Sequence, residues 1–199
     1  MTKEDDKHPP SYYAILDAAV EEFAVNGYSG VRMEHVAKRA KFNKSLIYRF
    51  FKNREQLFEA ALRHQFNQRE QGLHSRPENL TEALKWWHKG NSSDPTFMRM
   101  ILREALEGSG KTPVEATNRR QYYLKQIESL EEFQSRGQLP AKLPAAQLFL
   151  SLLAITIIPT ALPQIAELVT GLPTDSDEFE RSWMHFLEGF SESLGKVDD

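Results

Sequence analysis

Apolar residues recur along this chain at the three-and-four spacing of an α-helix, and no stretch sustains the alternation of a half-buried strand. The first stripe, Ile15, Ala18, Ala19 and Phe23, predicts a helix over about residues 11–26, with Gly27 as its stop. A link at 28–31 leads to a short helix over 33–40 that buries Val36, Ala37 and Ala40. The next helix begins at Lys44, and at about 100° per residue it splits into two halves. Leu46, Ile47, Phe50 and Phe51 fall on one half, and Lys44, Ser45, Tyr48, Arg49 and Lys52 on the other. Asn43 stands where its side-chain oxygen can cap a free N–H of the first turn. Asn53, with Gln56 at the capping-box position, opens a fourth helix lined by Leu57, Phe58, Ala61, Leu62 and Phe66.

The second half repeats the grammar. Asn79-x-x-Glu82 opens a helix carrying Leu84, Trp86 and Trp87, and Asp94-Pro95 opens another through Phe97, Met98, Ile101, Leu102 and Leu106. Thr112-Pro113-x-Glu115 predicts the start of a long, polar-rich helix to about Arg136, stopped by Gly137. Pro144 starts an apolar helix to about Ile158, and Pro159 and Pro163 should kink or break the stretch beyond it, as far as Gly171. A last helix over about 175–194 carries Phe179, Trp183, Phe186, Leu187, Phe190 and Leu194. The expected fold is all-α with about nine helices. A polar tail at 1–10, expected to be disordered, precedes a small head over 11–57 and a larger helical domain over 58–199. The 145–158 helix is apolar nearly all round and must be covered. A second copy of the chain or the centre of one subunit could cover it, and the pattern leaves both open.

Composition narrows the class. With 199 residues and 40% hydrophobic content, the chain can bury a substantial core. It has no cysteine, which excludes disulfides and thiolate metal sites. The opening MTKEDDKHPP has no apolar segment and does not read as a signal peptide. The run from Ala145 to Ile158 is too short to span a bilayer. A cytoplasmic protein with no membrane partner is expected. Charge adds more. From Arg32 to Arg54 eight Lys or Arg face one acid, Glu34, for a net +7 on a chain whose total is −3. A local basic patch on an acidic protein is an electrostatic footprint for double-stranded DNA, and a short cationic helix held from behind is what a recognition helix needs.

Taken in order, residues 11–58 resemble the N-terminal DNA-binding domain of the tetracycline-repressor (TetR) family. The likeness lies in ILDAAVEEFAVNGYSGVRMEHVAKRA and KSLIYRFFKNREQLF, in the spacing of Ala18, Ala19, Phe23, Gly27-Tyr28, Val36-Ala37, Leu46-Ile47-Tyr48, Phe51-Lys52 and Leu57. Lys41 stands in the turn where glycine is usual, Ser45-Leu46 where glycine-threonine is common, and Arg32 where a hydroxyl residue is common. The resemblance implies that Tyr48 and Lys52 contact phosphates, that Lys44, Ser45 and Arg49 face the groove, and that Arg32 holds a flanking phosphate. Arg49 is the favoured base reader, since arginine pairs in bidentate fashion with guanine. It also implies a homodimer, here through the 145–158 and 175–194 helices, and a C-terminal domain that binds a small-molecule effector.

Chemistry elsewhere is sparse. Gly108-Ser109-Gly110-Lys111-Thr112 ends like a phosphate-binding loop, but Ala105 stands where its first glycine belongs and a helical pattern precedes it. The six histidines show no metal-ligand spacing and read as surface or capping residues. No catalytic residue, metal or cofactor is expected. Trp86, Trp87, Phe97, Met98, Met100, Tyr122, Tyr123 and Phe149 could line a cavity for a mostly apolar ligand. The expected function is a ligand-responsive transcriptional regulator, a repressor that leaves a near-palindromic operator when its ligand binds. The alternative is a DNA-binding architectural or activator protein without small-molecule control.

Overall fold

A computed structural model describes residues 8–71, 77–107 and 112–195. Pro10, at the end of the tail expected to be disordered over 1–10, already begins the first helix, while residues 1–7, the turn at 108–111 and His74 lie outside the described residues. Among them the chain is helical, in ten helices: α1 (Pro10–Gly30), α2 (Met33–Ala40), α3 (Lys44–Phe50), α4 (Arg54–Gln71), α5 (Leu80–Ser92), α6 (Pro95–Glu107), α7 (Ala116–Ser135), α8 (Ala145–Ala161), α9 (Pro163–Thr170) and α10 (Asp177–Gly195). The all-α expectation holds, with one helix more than the spacing suggested.

Packing divides the chain into two units, residues 1–74 with 96–120, and residues 75–95 with 121–199. In the first unit α1 packs on α4 and α2, and α2 on α3. Its centre is Ile15, Ala19, Phe23, Val36, Ile47, Leu57, Ala61 and Leu62, each 1% exposed or less. Phe23 meets Phe58 edge to face at 4.7 Å. The predicted stripes of the first, second and fourth helices therefore point into one core.

Gly27 interrupts α1 at φ 68 and ψ 174, a conformation essentially reserved for glycine. The turn beyond it is held from the end of α6. Glu107 accepts the backbone N–H of Tyr28 at 3.1 Å and of Ser29 at 2.9 Å, and Arg103 donates to the carbonyl of Ala24 at 3.0 Å. A Cβ at Gly27 would stand 1.9 Å from a Glu107 carboxylate oxygen, so space as well as φ demands glycine there.

The second unit is built on α5, which packs against α8 and α10. Leu84, Leu130, Leu139, Leu152 and Leu187 form its fully buried centre, with Trp87 and Phe149 beside them. Two helix boundaries differ from expectation. The long α7 begins at Ala116, because Glu115 sits in the left-handed region at φ 56 and keeps the Thr112-Pro113 signal outside the helix. Pro159 does not end α8. The helix continues to Ala161 and breaks at Leu162, whose φ of −134 and ψ of 59 lie outside the α region that the following proline disfavours. Pro163 then starts α9 at its first position, and the two helices meet at 90°. Among the described residues no single helix is long and apolar enough to cross a membrane.

Candidate nucleic-acid interface

Three sequence features build α3. Asn43, in extended backbone, accepts the N–H of Leu46 at 2.8 Å and the hydroxyl of Ser45 at 2.7 Å, which fixes where the helix starts. Ile47 and Phe51 are buried behind it, at 0% and 3% exposed. Tyr12, in the first turns of α1, meets Phe50 at 5.4 Å and Phe51 at 5.2 Å, so α1 braces the far end of α3. Burial pushes the Tyr12 phenol above its usual pKa. Beyond α3, Gln56 accepts the N–H of Lys52 at 3.1 Å and donates its own N–H to Asn53 at 2.9 Å.

The turn between α2 and α3 runs through Lys41 in the left-handed region, φ 59 and ψ 33. Phe42 N–H bonds Ala37 O at 3.0 Å and Lys41 N–H bonds Lys38 O at 3.2 Å, a helix-ending pair normally built on glycine. A lysine here adds charge to the turn and takes up backbone strain.

Arg32, Lys44, Ser45, Tyr48, Arg49 and Lys52 are all exposed, as the helical wheel required of those on α3. The patch is less positive than the sequence count suggests. Arg39 is spent inside the unit, on Glu21 at 2.6 Å and Glu22 at 2.7 Å. Arg54 lies 4.5 Å from the centre of the Tyr28 ring and donates to Ser29 O at 2.7 Å. Arg32, Lys38, Lys41, Arg49 and Lys52 make no ion pair with the described residues. Lys44 does: its ammonium pairs with Glu34 on α2 and lies 5.6 Å from the Tyr48 ring centre. The hydrogen bond from Lys44 holds the Glu34 carboxyl below the usual carboxylate range, and the same bond holds the Lys44 ammonium above its usual pKa. The spacing of residues 34 and 44 does not announce this pair, since it depends on how α2 crosses α3.

The residues considered for a ligand cavity divide between the units. Phe97, Met98 and Met100 are buried in the first, where Phe97 meets Phe66 at 5.2 Å. The others belong to the second. Trp87 meets Phe149 at 5.4 Å, Phe149 meets Tyr123 at 6.1 Å, Tyr123 meets Tyr122 at 5.5 Å, and Trp86 packs against the same cluster. Polar pairs are buried in the same unit. Trp87 Nε1 donates to the buried Gln126 at 3.2 Å, and Asn91 donates to the buried Thr156 at 3.5 Å. His88 corrects the reading of the histidines as surface or capping residues: it is 1% exposed, with Nε2 3.0 Å from Glu180. Among the described residues no group of three or more metal-ligating side chains comes together.

A capped, cationic helix exposed on a small helical head defines the class, that of helix-turn-helix DNA-binding regulators. Residues 15–61 match the family described as bacterial regulatory proteins of the tetR family, and residues 86–185 match the tetracyclin repressor-like C-terminal domain. The chain belongs to the TetR family of transcriptional regulators. Among its relatives, the HTH-type transcriptional repressor SCO4008 of Streptomyces coelicolor is 27% identical over 79% of this chain and 82% of its own. The fold is shared with the putative transcriptional regulator SCO4942 of Streptomyces coelicolor, at TM-score 0.75 and 21% identity over 94% of this chain and 98% of that one. It is shared too with FadR from Bacillus subtilis, solved in complex with stearoyl-CoA, at TM-score 0.65 and 19% identity over 94% of this chain and 100% of that one.

Proposed function

We propose that this chain is a homodimeric repressor that binds a near-palindromic operator through α3 and leaves it when a mostly apolar small molecule binds the C-terminal domain. The observation that carries the DNA reading is the exposed face of Lys44, Ser45, Tyr48 and Arg49 on a helix whose start and back are both fixed, with Lys52 exposed just beyond its end. Tyr48 and Lys52 take phosphates, and so set register and affinity. Arg32 holds a flanking phosphate. Arg49 reads a base edge, with Lys44 and Ser45 beside it in the groove.

Dimerisation is supported by apolar side chains left in water within the second unit. Leu150 and Ile158 on α8 are 66% and 37% exposed, Leu168 and Val169 on α9 are 86% and 80%, and Phe186 on α10 is 43%. Apolar groups on neighbouring elements mark an interaction face. With two heads in the dimer, half-sites lie about 34 Å apart or a multiple of it. Effector binding favours a subunit geometry with another head spacing, and DNA affinity falls by population shift. The aromatic set of the second unit, with Gln126 paired to its Trp87, suits an apolar ligand bearing one or two polar groups. A family neighbour solved with stearoyl-CoA adds long-chain acyl compounds to those worth screening.

The test is the Tyr48→Ala, Arg49→Ala double variant, first shown to be folded and dimeric. The expected result is loss of operator binding by roughly two orders of magnitude or more, about 1–3 kcal/mol coming from the arginine–base pair alone. Unchanged operator binding would sink the assignment of α3.

A further inference from the structure

Two buried polar atoms of the second unit have no hydrogen-bond partner among the described residues: Nδ1 of His88 on α5 and Nε1 of Trp183 on α10. Folded interiors leave few such atoms, so the pair calls for a cause. The packing of the two helices brings them to one level. Thr81 meets Ser191 at 2.6 Å and Lys85 pairs with Glu188, so α5 and α10 run antiparallel. One turn further along α5, His88 falls beside the Glu180–Met184 turn of α10, with its Nε2 3.0 Å from Glu180. Trp183 belongs to that turn and packs on the core that holds Leu84 and Leu187. The His88 side chain is 1% exposed, whereas that of Glu180 is 48% exposed. His88 therefore lies at the inner end of a seam that meets solvent at Glu180.

The two atoms differ in what they need. A carboxylate only accepts, so Nε2 of His88 carries the hydrogen toward Glu180, and the neutral ring leaves Nδ1 as an acceptor. An indole N–H only donates. A hydroxyl answers both, donating to His88 and accepting from Trp183, and so does a primary carboxamide. An ammonium has no lone pair for Trp183. A carboxylate reaches Nδ1 only if the ring takes a second proton, and it sets another anion near Glu180. The surroundings are apolar: Phe179, 2% exposed, stacks on Trp183 at 5.7 Å, and Leu187 is fully buried. We propose that His88 and Trp183 are the polar anchor of the effector site, which takes an uncharged, mostly apolar molecule ending in a hydroxyl or a primary carboxamide. The inference rests on ligand control by the C-terminal domain and names the chemical class of its ligand.

The test titrates full-length, nitrogen-15-labelled protein with 1-octanol, octanamide, octanoate and octylamine, one chain length with four heads. Each tryptophan gives its own indole N–H signal. Trp183→Phe identifies that of Trp183 and keeps a ring against Phe179. Octanol and octanamide should bind about tenfold or more tighter than octanoate and octylamine, and both should move the Trp183 signal downfield as its N–H gains an acceptor. His88→Gln keeps an amide donor toward Glu180 and has nothing in the place of Nδ1. This variant and Trp183→Phe should each weaken octanol binding about tenfold, the effect of one buried hydrogen bond. Circular dichroism and melting temperature establish that each variant is folded.

Tightest binding of octanoate or octylamine would overturn the proposal, as would octanol binding that neither substitution changes. Binding of none of the four would also overturn it, and would leave the two atoms to a buried water. Operator binding, followed in the same titrations, separates this inference from ligand control itself. Octanol that binds with the expected head dependence but leaves the operator complex intact would uphold the site and count against ligand control. Release of the operator by a molecule that leaves the Trp183 signal in place would uphold ligand control and overturn the site.

Discussion

Lys41 holds a backbone conformation, φ 59 and ψ 33, that glycine occupies without strain. Lys41→Gly should therefore stabilise the head by about 1 kcal/mol, since a left-handed L-residue costs roughly that much. The same change removes a cation beside α3, so DNA binding should weaken as the melting temperature rises. A melting temperature that falls would mean that the turn draws on the lysine side chain in some other way. Gly27 makes the opposite case. Gly27→Ala meets both the forbidden φ and the Glu107 carboxylate, and a loss of about 1–3 kcal/mol in denaturant unfolding is expected. A negligible loss would contradict the strain and the close approach assigned to the α1 end. Single-residue signals of this kind were legible where the cause is local. Asn43, Asn53 and Asn79 all cap helices as their spacing foretold, and Gly27, expected as the stop of α1, kinks it, with helix resuming as far as Gly30. The pairs Lys44–Glu34 and Glu107–Tyr28/Ser29 were not legible, because each joins elements whose crossing is set by packing. His88 was missed for the same reason, since its burial comes from how α5 lies in the second unit.

At the scale of elements, the periodicity of α1 through α4 located both the helices and their buried faces, since an amphipathic stripe and the core it faces are one observation. Prolines were harder to read. Pro159 lies buried within α8 while Pro163 opens α9, so similar residues four apart ended differently. Helix α3 is short, and its start rests on one cap. Asn43→Ala removes the acceptor for Leu46 N–H and should cost about 1 kcal/mol. Because α3 carries the proposed readout, this loss should appear both in thermal unfolding and as weaker operator binding. Lost stability with intact binding would show that α3 is held by its buried face alone. Of the eight cations between Arg32 and Arg54, Arg39, Lys44 and Arg54 are engaged by neighbours within the unit, so the electrostatic footprint is narrower than the sequence count suggested.

Across the whole molecule, the open question of what covers the apolar 145–158 helix now has a partial answer. Leu148, Phe149, Leu152 and Thr156 are buried within the second unit, while Leu150 and Ile158 remain exposed. One face of α8 is therefore core, and the other is free for the proposed second copy. Leu150→Glu combined with Phe186→Glu places charge among the exposed apolar residues of α8 and α10, and sedimentation should show a shift from dimer to monomer. A double variant that stays dimeric would move the interface elsewhere. The head could be read from sequence because its residue types are tied to one geometry. The cavity set could not be resolved in the same way, since large apolar residues serve core and pocket alike, and packing places Phe97 and Met98 in a different unit from Trp87 and Phe149.

The regulatory reading depends throughout on residues 41–52 binding DNA through phosphate and base contacts. Equilibrium binding of purified protein to the DNA flanking its own gene, titrated across salt, probes that dependence without intermediaries. A specific complex is expected, with log K falling linearly with log salt by about 0.9 for each phosphate neutralised. No complex at low salt, even after refolding from denaturant to strip any bound effector, would contradict it.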